Sequence, residues 1–279
     1  MYKMKSYIDL RQTEYYSKYI KKLGWKVDKY GGVNIYSKRL LLWNFVKIQR
    51  PEDFKADKLN NYLTSNYRYS TIYVEAKNNK QYNSLLKFKF KSYNSPFLPT
   101  KTIWIDLKDG QSQLLKKMHQ KTRYNIKVAE RNNLKIVYSK DIERFSDFWQ
   151  NCAKERGMFL NQKREISELY NAFNKSAKIY VALDGKSDWL AGILSVYTKD
   201  VSYYMYAAST KKGKKLYAPT LLIWEVLKSE KNDGKSLFDF EGIYDERFPL
   251  KTWRGFTRFK KGFGGTEKEY PGCLSKVIF

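Results

Sequence analysis

Histidine is almost missing from this chain: His119 is the only one in 279 residues. Cysteine occurs twice, as Cys152 and Cys273, proline six times, and acidic side chains number 28 against 54 basic ones. Each scarcity excludes some chemistry. A Ser-His-Asp or Cys-His apparatus would hang on His119, which sits in Lys116-Lys-Met-His-Gln-Lys121 on an expected basic helix, where a solvated side chain is the ordinary reading. One histidine and two distant cysteines cannot supply the usual zinc ligands, so no metal site is expected. Two cysteines make no disulfide framework, and a reducing cytoplasm is the natural setting. No segment approaches the roughly 18 apolar residues of a membrane-spanning helix. The opening Met1–Leu10 has no apolar stretch of the kind a secretory leader needs. The tripeptide Gly-Lys-Ser occurs at Gly185 and Gly234, but a phosphate loop needs another glycine five residues earlier, where Tyr180 and Ser229 stand. Gly262-Phe-Gly-Gly265 has the wrong spacing for a dinucleotide fingerprint. An enzyme with this inventory must position two substrates without covalent or metal catalysis.

What is present is positive charge and aromatic bulk. The net charge is +26 and the sequence pI about 9.7, which suits a polyanionic partner. The charge is spread rather than gathered in an arm, with +13 on either side of Leu107. Much of it is lysine in a chain also rich in Tyr, Asn and Ile, the bias an AT-rich coding sequence imposes on any protein. With 42% hydrophobic and 17% aromatic residues, the chain is long and apolar enough to bury a proper core.

Helical spacing runs from Ser6 to Leu23 with Gly24 as a stop, and Trp25 begins an extended stretch. Val33 to Ile48 reads as a hairpin or two strands, Pro51 to Ser65 as a helix, and Tyr69 to Ala76 as a strand. After the loop at Pro96 and Pro99, Thr102–Leu107 reads as a strand and Leu114–Arg131 as one helix. Lys135–Tyr138 is a short strand, and Ile142–Arg156 and Ile166–Phe173 are helices. Ile179–Leu183, Trp189–Thr198 and Val201–Ala208 read as three consecutive antiparallel strands. Ala218-Pro219 opens a helix to about Lys231. Ser236–Phe240 is a strand, Pro249–Phe263 a helix and Val277–Phe279 a closing strand. The order predicts a mixed α/β (α+β) layer fold.

Three segments together resemble one family: Lys121-Thr-Arg-Tyr-Asn-Ile-Lys-Val-Ala-Glu130; Tyr204-Met-Tyr-Ala-Ala-Ser209 with Tyr217-Ala-Pro219; and Phe238-Asp-Phe-Glu-Gly-Ile243 with Phe259-Lys-Lys-Gly-Phe-Gly264. The chain is similar to the Fem family, which transfers amino acids from aminoacyl-tRNA onto peptidoglycan precursors. The likeness covers residues 108–265 and, loosely, Glu14–Trp25. It implies two GNAT-like (acyl-CoA N-acyltransferase) domains with mixed sheets, the first reduced. The expected division is 1–107, completed by 266–279, and 108–265, with the acceptor in a cleft between or beneath them. It implies aminoacyl-tRNA as co-substrate with no resident cofactor, and a lipid-linked or UDP-linked muropeptide precursor as acceptor. Peripheral contact with the inner membrane face is a further expectation.

The resemblance also assigns roles. Lys260 matches the cation that meets the oxyanion and leaving oxygen, with Phe259 its aromatic neighbour; a solvated helix lysine and a core phenylalanine are the plain alternatives. Tyr206 matches an acceptor-binding tyrosine, and Tyr204 shares its strand face by period two. Lys22, with Lys21 competing, matches a lysine that contacts acceptor phosphates three residues before Trp25. Glu75, near the end of a first-domain strand, is a candidate proton acceptor or an exposed strand-end carboxylate. The family's acceptor-binding Arg and Tyr are missing near Asn161 and Glu165, leaving Lys163 or Arg164 to supply the charge. Rival readings are an acyl-CoA-dependent N-acyltransferase of the same fold and a noncatalytic tRNA- or membrane-binding module. Lys211-Lys-Gly-Lys-Lys215 has a single glycine where acyl-CoA enzymes usually place a glycine-rich phosphate cradle, which favours the tRNA donor.

Overall fold

Two residues that cap helices set the chain's first elements. In the computed structural model, which describes residues 7–279, the Asp9 carboxylate accepts from the Arg11 amide and starts a 3-10 turn over Leu10–Gln12. Thr13 then caps helix α1, Glu14–Lys22, by accepting from the Tyr16 amide at 3.2 Å. Two caps in succession are why the single helix expected from Ser6 is divided; Ser6 itself, and the opening segment up to it, lie outside the described residues.

In chain order there follow β1 (Lys26–Tyr30), β2 (Val33–Leu40), β3 (Trp43–Gln49), α2 (Ala56–Asn66), β4 (Ser70–Glu75), α3 (Asn79–Leu86), β5 (Lys91–Tyr93) and β6 (Lys101–Asp106). Next come α4 (Gln111–Lys117), α5 (Gln120–Arg131), β7 (Lys135–Ser139), α6 (Ile142–Lys154), α7 (Lys163–Phe173), β8 (Ala177–Leu183), β9 (Trp189–Tyr197) and β10 (Val201–Ser209). The chain ends with α8 (Lys211–Lys215), α9 (Ala218–Asn232), β11 (Leu237–Asp239), α10 (Arg254–Lys261), β12 (Thr266–Glu269) and β13 (Cys273–Ile278). Helix α3 and the short strands β5 and β12 carry too little apolar periodicity to be read from sequence. The helix expected over Leu114–Arg131 is two helices. His119 sits at their junction rather than inside a helix, because its amide donates to the Gly262 carbonyl instead of to the preceding turn.

The chain forms two units. Of the described residues, the first comprises 7–101, 244–251 and 268–279, and the second 102–243 and 252–267. The first holds a six-stranded sheet in the order β1-β2-β3-β4-β13-β5. Its β3 and β4 run parallel across the α2 crossover, while β13 inserts antiparallel between β4 and β5. Alternate residues such as Val46, Ile48, Ile72, Val74 and Leu274 are wholly buried against Leu59, Leu63 and Leu85 of α2 and α3.

The second holds a seven-stranded sheet in the order β12-β6-β11-β10-β9-β8-β7. Strands β7 to β10 form an antiparallel meander, and β11 lies parallel to β10. Helix α9 is apolar nearly all round, with Leu222, Ile223, Val226 and Leu227 wholly buried, as a helix covered by a sheet and by α5 must be. Helices α6 and α7 pack on each other and against β9.

Candidate active site

Strands β10 and β11 stay in register only from Val201↔Leu237 to Tyr203↔Asp239. Beyond Asp239 the chain turns away through Glu241 at φ +55° and Gly242 at φ +130°. That bend is fixed by short polar contacts. Asp239 accepts from Thr102 Oγ1 at 2.6 Å, from the Trp104 indole at 2.9 Å and from the Glu241 amide at 2.8 Å. The Phe240 and Gly242 carbonyls receive instead the ammonium of Lys260, from α10, which donates to them at 2.8 and 2.7 Å. Lys260 is buried, with Tyr204, Phe240 and Phe256 rings 4.9–6.0 Å from its nitrogen. Burial pulls its pKa down to about 8, against the opposing pull of the Glu241 and Asp239 carboxylates. An ammonium has three N–H donors, so one remains beyond the two backbone bonds. The solvated helix lysine is therefore the wrong description of Lys260; Lys261, exposed and paired with Glu267 at 2.6 Å, fits it.

Phe259 packs on Phe263 at 5.4 Å and on the unit's core. The two strand tyrosines do not share a face. Tyr204 pairs with Ser195 and Tyr206 with the adjacent residue Leu194, so a bulge at Met205 absorbs one residue and flips the alternation. Tyr204 consequently packs on Phe240 in the core that contains α9, and burial pushes its phenol up. Tyr206 packs edge-on against Trp149 of α6, 5.6 Å away. Of the sequence-derived candidates, then, Lys260 and Tyr204 come together and Tyr206 does not join them.

At the end of β10, Arg156 donates to the Ser209 carbonyl at 2.9 Å. Burial and then the neighbouring Arg156 charge lower the pKa of Lys214, on α8, so positive charge is gathered here. Lys163 opens α7 and is ion-paired with Asp147, and Arg164 is exposed beside it. A cavity of about 490 Å³ in this unit lies elsewhere, between β7, β8 and the last turns of α9. It is lined by Tyr138, Tyr180, Lys228, Ser229 and others, none of them a sequence-derived candidate.

In the first unit Lys21 and Lys22 stand exposed on the last turn of α1. Glu75 is buried, not an exposed strand end. It accepts from Gln49 Nε2 at 2.8 Å and from the Leu98 amide at 2.5 Å, and burial outweighs these bonds to raise its pKa. Around it lies an ionic cluster that sequence reasoning missed. Asp9 binds Arg11 and Arg50, with burial opposing and the two guanidinium charges prevailing to lower its pKa. Lys47 stands 4.2 Å over the Trp25 ring, its pKa brought down to about 8 by burial against the pull of Glu75. The only sequence signal for this cluster is Lys47 alternating with apolar residues in β3, a charge where the pattern expects a half-buried side chain. Among the described residues, no helix is long and apolar enough to cross a membrane.

Residues 183–278 match the FemAB family, a span that includes Lys260 and the β10–β11 parting. The fold is similar to that of FemX, with a TM-score of 0.80 at 16% identity over 97% of this chain and 92% of that one. It also resembles the C-terminal domain of an Agrobacterium fabrum protein named as a lysylphosphatidylglycerol synthetase, with a TM-score of 0.63 at 10% identity over 95% and 87% of the two chains. A tandem GNAT protein from the clavulanic acid biosynthesis pathway matches with a TM-score of 0.50 at 8% identity over 89% and 81%. No curated protein matches the chain in sequence. The two mixed sheets and these neighbours agree with the two-GNAT-domain fold.

Proposed function

We infer that this chain, a Fem-family protein by its match over residues 183–278, is an aminoacyltransferase that takes its amino acid from aminoacyl-tRNA and adds it to the amine of a muropeptide precursor. The observation that carries this reading is the buried Lys260 ammonium where β10 and β11 part. The acceptor amine attacks the carbonyl carbon of the ester, the C–N bond forms, and charge collects on the carbonyl oxygen. The tetrahedral species then expels the ribose oxygen, which takes up the proton the amine releases. Neither step needs a nucleophilic side chain or a metal. Both need a fixed positive charge, which costs no reorganisation when it is already held on backbone carbonyls. Lys260 supplies that charge and its remaining N–H. The cationic end of β10, with Arg156, Lys211 and Lys214, suits the donor's phosphates. In the first unit, Lys21, Lys22 and Lys47 are the cations for the acceptor's phosphates, and Glu75 is a candidate proton acceptor.

The single glycine of α8 bears on the acyl-CoA alternative. A Cβ on Gly213 would lie 2.2 Å from the Leu190 carbonyl oxygen, so close packing explains this glycine without a phosphate cradle. The deciding experiment is transfer of label from charged tRNA to lipid-linked and to UDP-linked muropeptide. Transfer to either supports the reading and identifies the acceptor. Label moving only from acyl-CoA would replace it with the acyl-CoA reading.

A further inference from the structure

The β2–β3 hairpin ends in Leu40-Leu41-Leu42-Trp43, and because Leu40 pairs with Trp43 its two-residue loop is Leu41-Leu42. Leu41 has φ +55°, a left-handed conformation that hairpins ordinarily give to Gly or Asn because a Cβ crowds the backbone there. Neither turn preference nor packing explains leucine at this position: Leu40, Leu41 and Leu42 are 59%, 95% and 81% exposed. The turn is braced, with Arg39 Nε donating to the Leu41 carbonyl at 3.0 Å. Strain retained at an exposed apolar tip points to a use for the side chains.

The same end of the sheet gathers more apolar and aromatic surface. Trp43 packs on Phe279, itself largely exposed, and the Asn44 amide donates to the carbonyl of exposed Tyr69 at 2.8 Å. Exposed Lys38, Arg39 and Arg68 lie beside it in the chain. The residues that meet here, 38–46, 66–72 and 276–279, contain no Asp or Glu. Asp28, on the neighbouring β1, already accepts from the Tyr67 hydroxyl and pairs with Lys26. Leucines at a tip, aromatic rings behind them and a basic rim without carboxylates fit one partner by charge and polarity, an anionic bilayer. A second copy of the chain would bring like charge to like.

We propose that this end of the first unit docks on anionic lipid, with Leu41 and Leu42 entering the acyl boundary and Lys38, Arg39 and Arg68 meeting headgroup phosphates. The proposal stands whether the acceptor is lipid-linked or nucleotide-linked, so its test and the label-transfer test fail separately. The test is co-sedimentation of the full chain with phosphatidylcholine vesicles, with and without 30 mol% phosphatidylglycerol. The wild type should partition at least tenfold more strongly onto the anionic vesicles. Leu41→Ser with Leu42→Ser should lose at least tenfold at an unchanged melting temperature, and Lys38→Gln with Arg39→Gln should weaken binding and flatten its salt dependence. Because Cys152 and Cys273 are buried, Leu42→Cys can carry an environment-sensitive dye, whose emission should move to the blue on anionic vesicles. Three results would each overturn the proposal: no binding by the wild type, wild-type binding by the double serine variant, or no spectral shift. So would a solution dimer that the double serine variant dissociates.

Discussion

Replacing Lys260 by methionine separates what its ammonium does for the fold from what it does for transfer. On the fold side, two charge-assisted hydrogen bonds of 2.8 and 2.7 Å disappear, each of a kind that contributes about 1.5–3 kcal/mol. Against this, the charge is now held at neutral pH by a group whose pKa is about 8 rather than 10.5, a cost of about 3 kcal/mol at 1.36 kcal/mol per pKa step, which methionine removes. The expected net loss is therefore about 0–3 kcal/mol, and the variant stays folded at 20 °C. On the transfer side, deleting one preorganised donor costs about 2.7–4 kcal/mol of barrier, a hundredfold to thousandfold in turnover. Substrate affinity should change little, because the charge counts mainly in the transition state. The pH dependence provides a second readout. Wild-type turnover should fall as pH rises through about 8, when Lys260 loses its proton, and Lys260→Met should lack that limb. The stability effect has the opposite sense: the unfolded chain holds the extra proton up to pH 10.5, so wild-type stability should rise relative to the variant between pH 8 and 10.5. Single-turnover label transfer against pH checks the first prediction and urea melts the second. Wild-type turnover in Lys260→Met, or an equal loss in Lys261→Met, would refute the assignment.

Other consequences are open to test. Lys211→Ala with Lys214→Ala should weaken tRNA binding and reduce its log–log salt slope by about 1.4–1.8, read by filter binding from 50 to 300 mM salt. Gly213→Ala should destabilise by about 1–3 kcal/mol in a thermal melt, because its Cβ meets backbone rather than a flexible side chain. Burial raises the pKa of Glu230, with the Tyr180 hydroxyl 2.6 Å from Oε1 opposing. Its contribution to stability is therefore complete below pH 4.5 and lost as pH rises through the folded pKa. Glu230→Gln keeps an acceptor for Tyr180, so it should flatten that decline and melt higher than wild type at pH 8. Leu41→Gly should raise stability by about 1 kcal/mol in urea melts by relieving the left-handed leucine, while impairing vesicle binding.

Sequence reading succeeded where one period dominates and failed where a tertiary contact overrules it. The antiparallel run from Ala177 to Ser209 and helix α9 were legible because β-branched and aromatic runs alternate with turn residues, and because Pro219 marks a helix start. The division between α4 and α5 was not, since the His119 amide is claimed by Gly262, far along the chain. Period two put Tyr204 and Tyr206 on one face, and a single bulged residue, Met205, separated them. At the candidate site, the motif around Phe259 drew attention to Lys260, but nothing local indicates that its ammonium would close on the carbonyls of Phe240 and Gly242. The cluster of Asp9, Arg11, Arg50 and Glu75 was not legible from its own residues because they come from three separate places in the chain.

The position of β13 governs the order in which the protein can be made. Strand β5 leaves the ribosome early, yet it pairs only with β13, and β4 keeps an open edge until the same strand arrives. The unit begun first is thus finished last, after the whole of the other unit has been synthesised. Until Cys273–Ile278 emerges, the nascent chain carries a row of unpaired amides and carbonyls on β4, the kind of edge that recruits foreign strands. Stalled or truncated products lacking the last dozen residues should therefore be clients of chaperones and proteases rather than partly active enzymes.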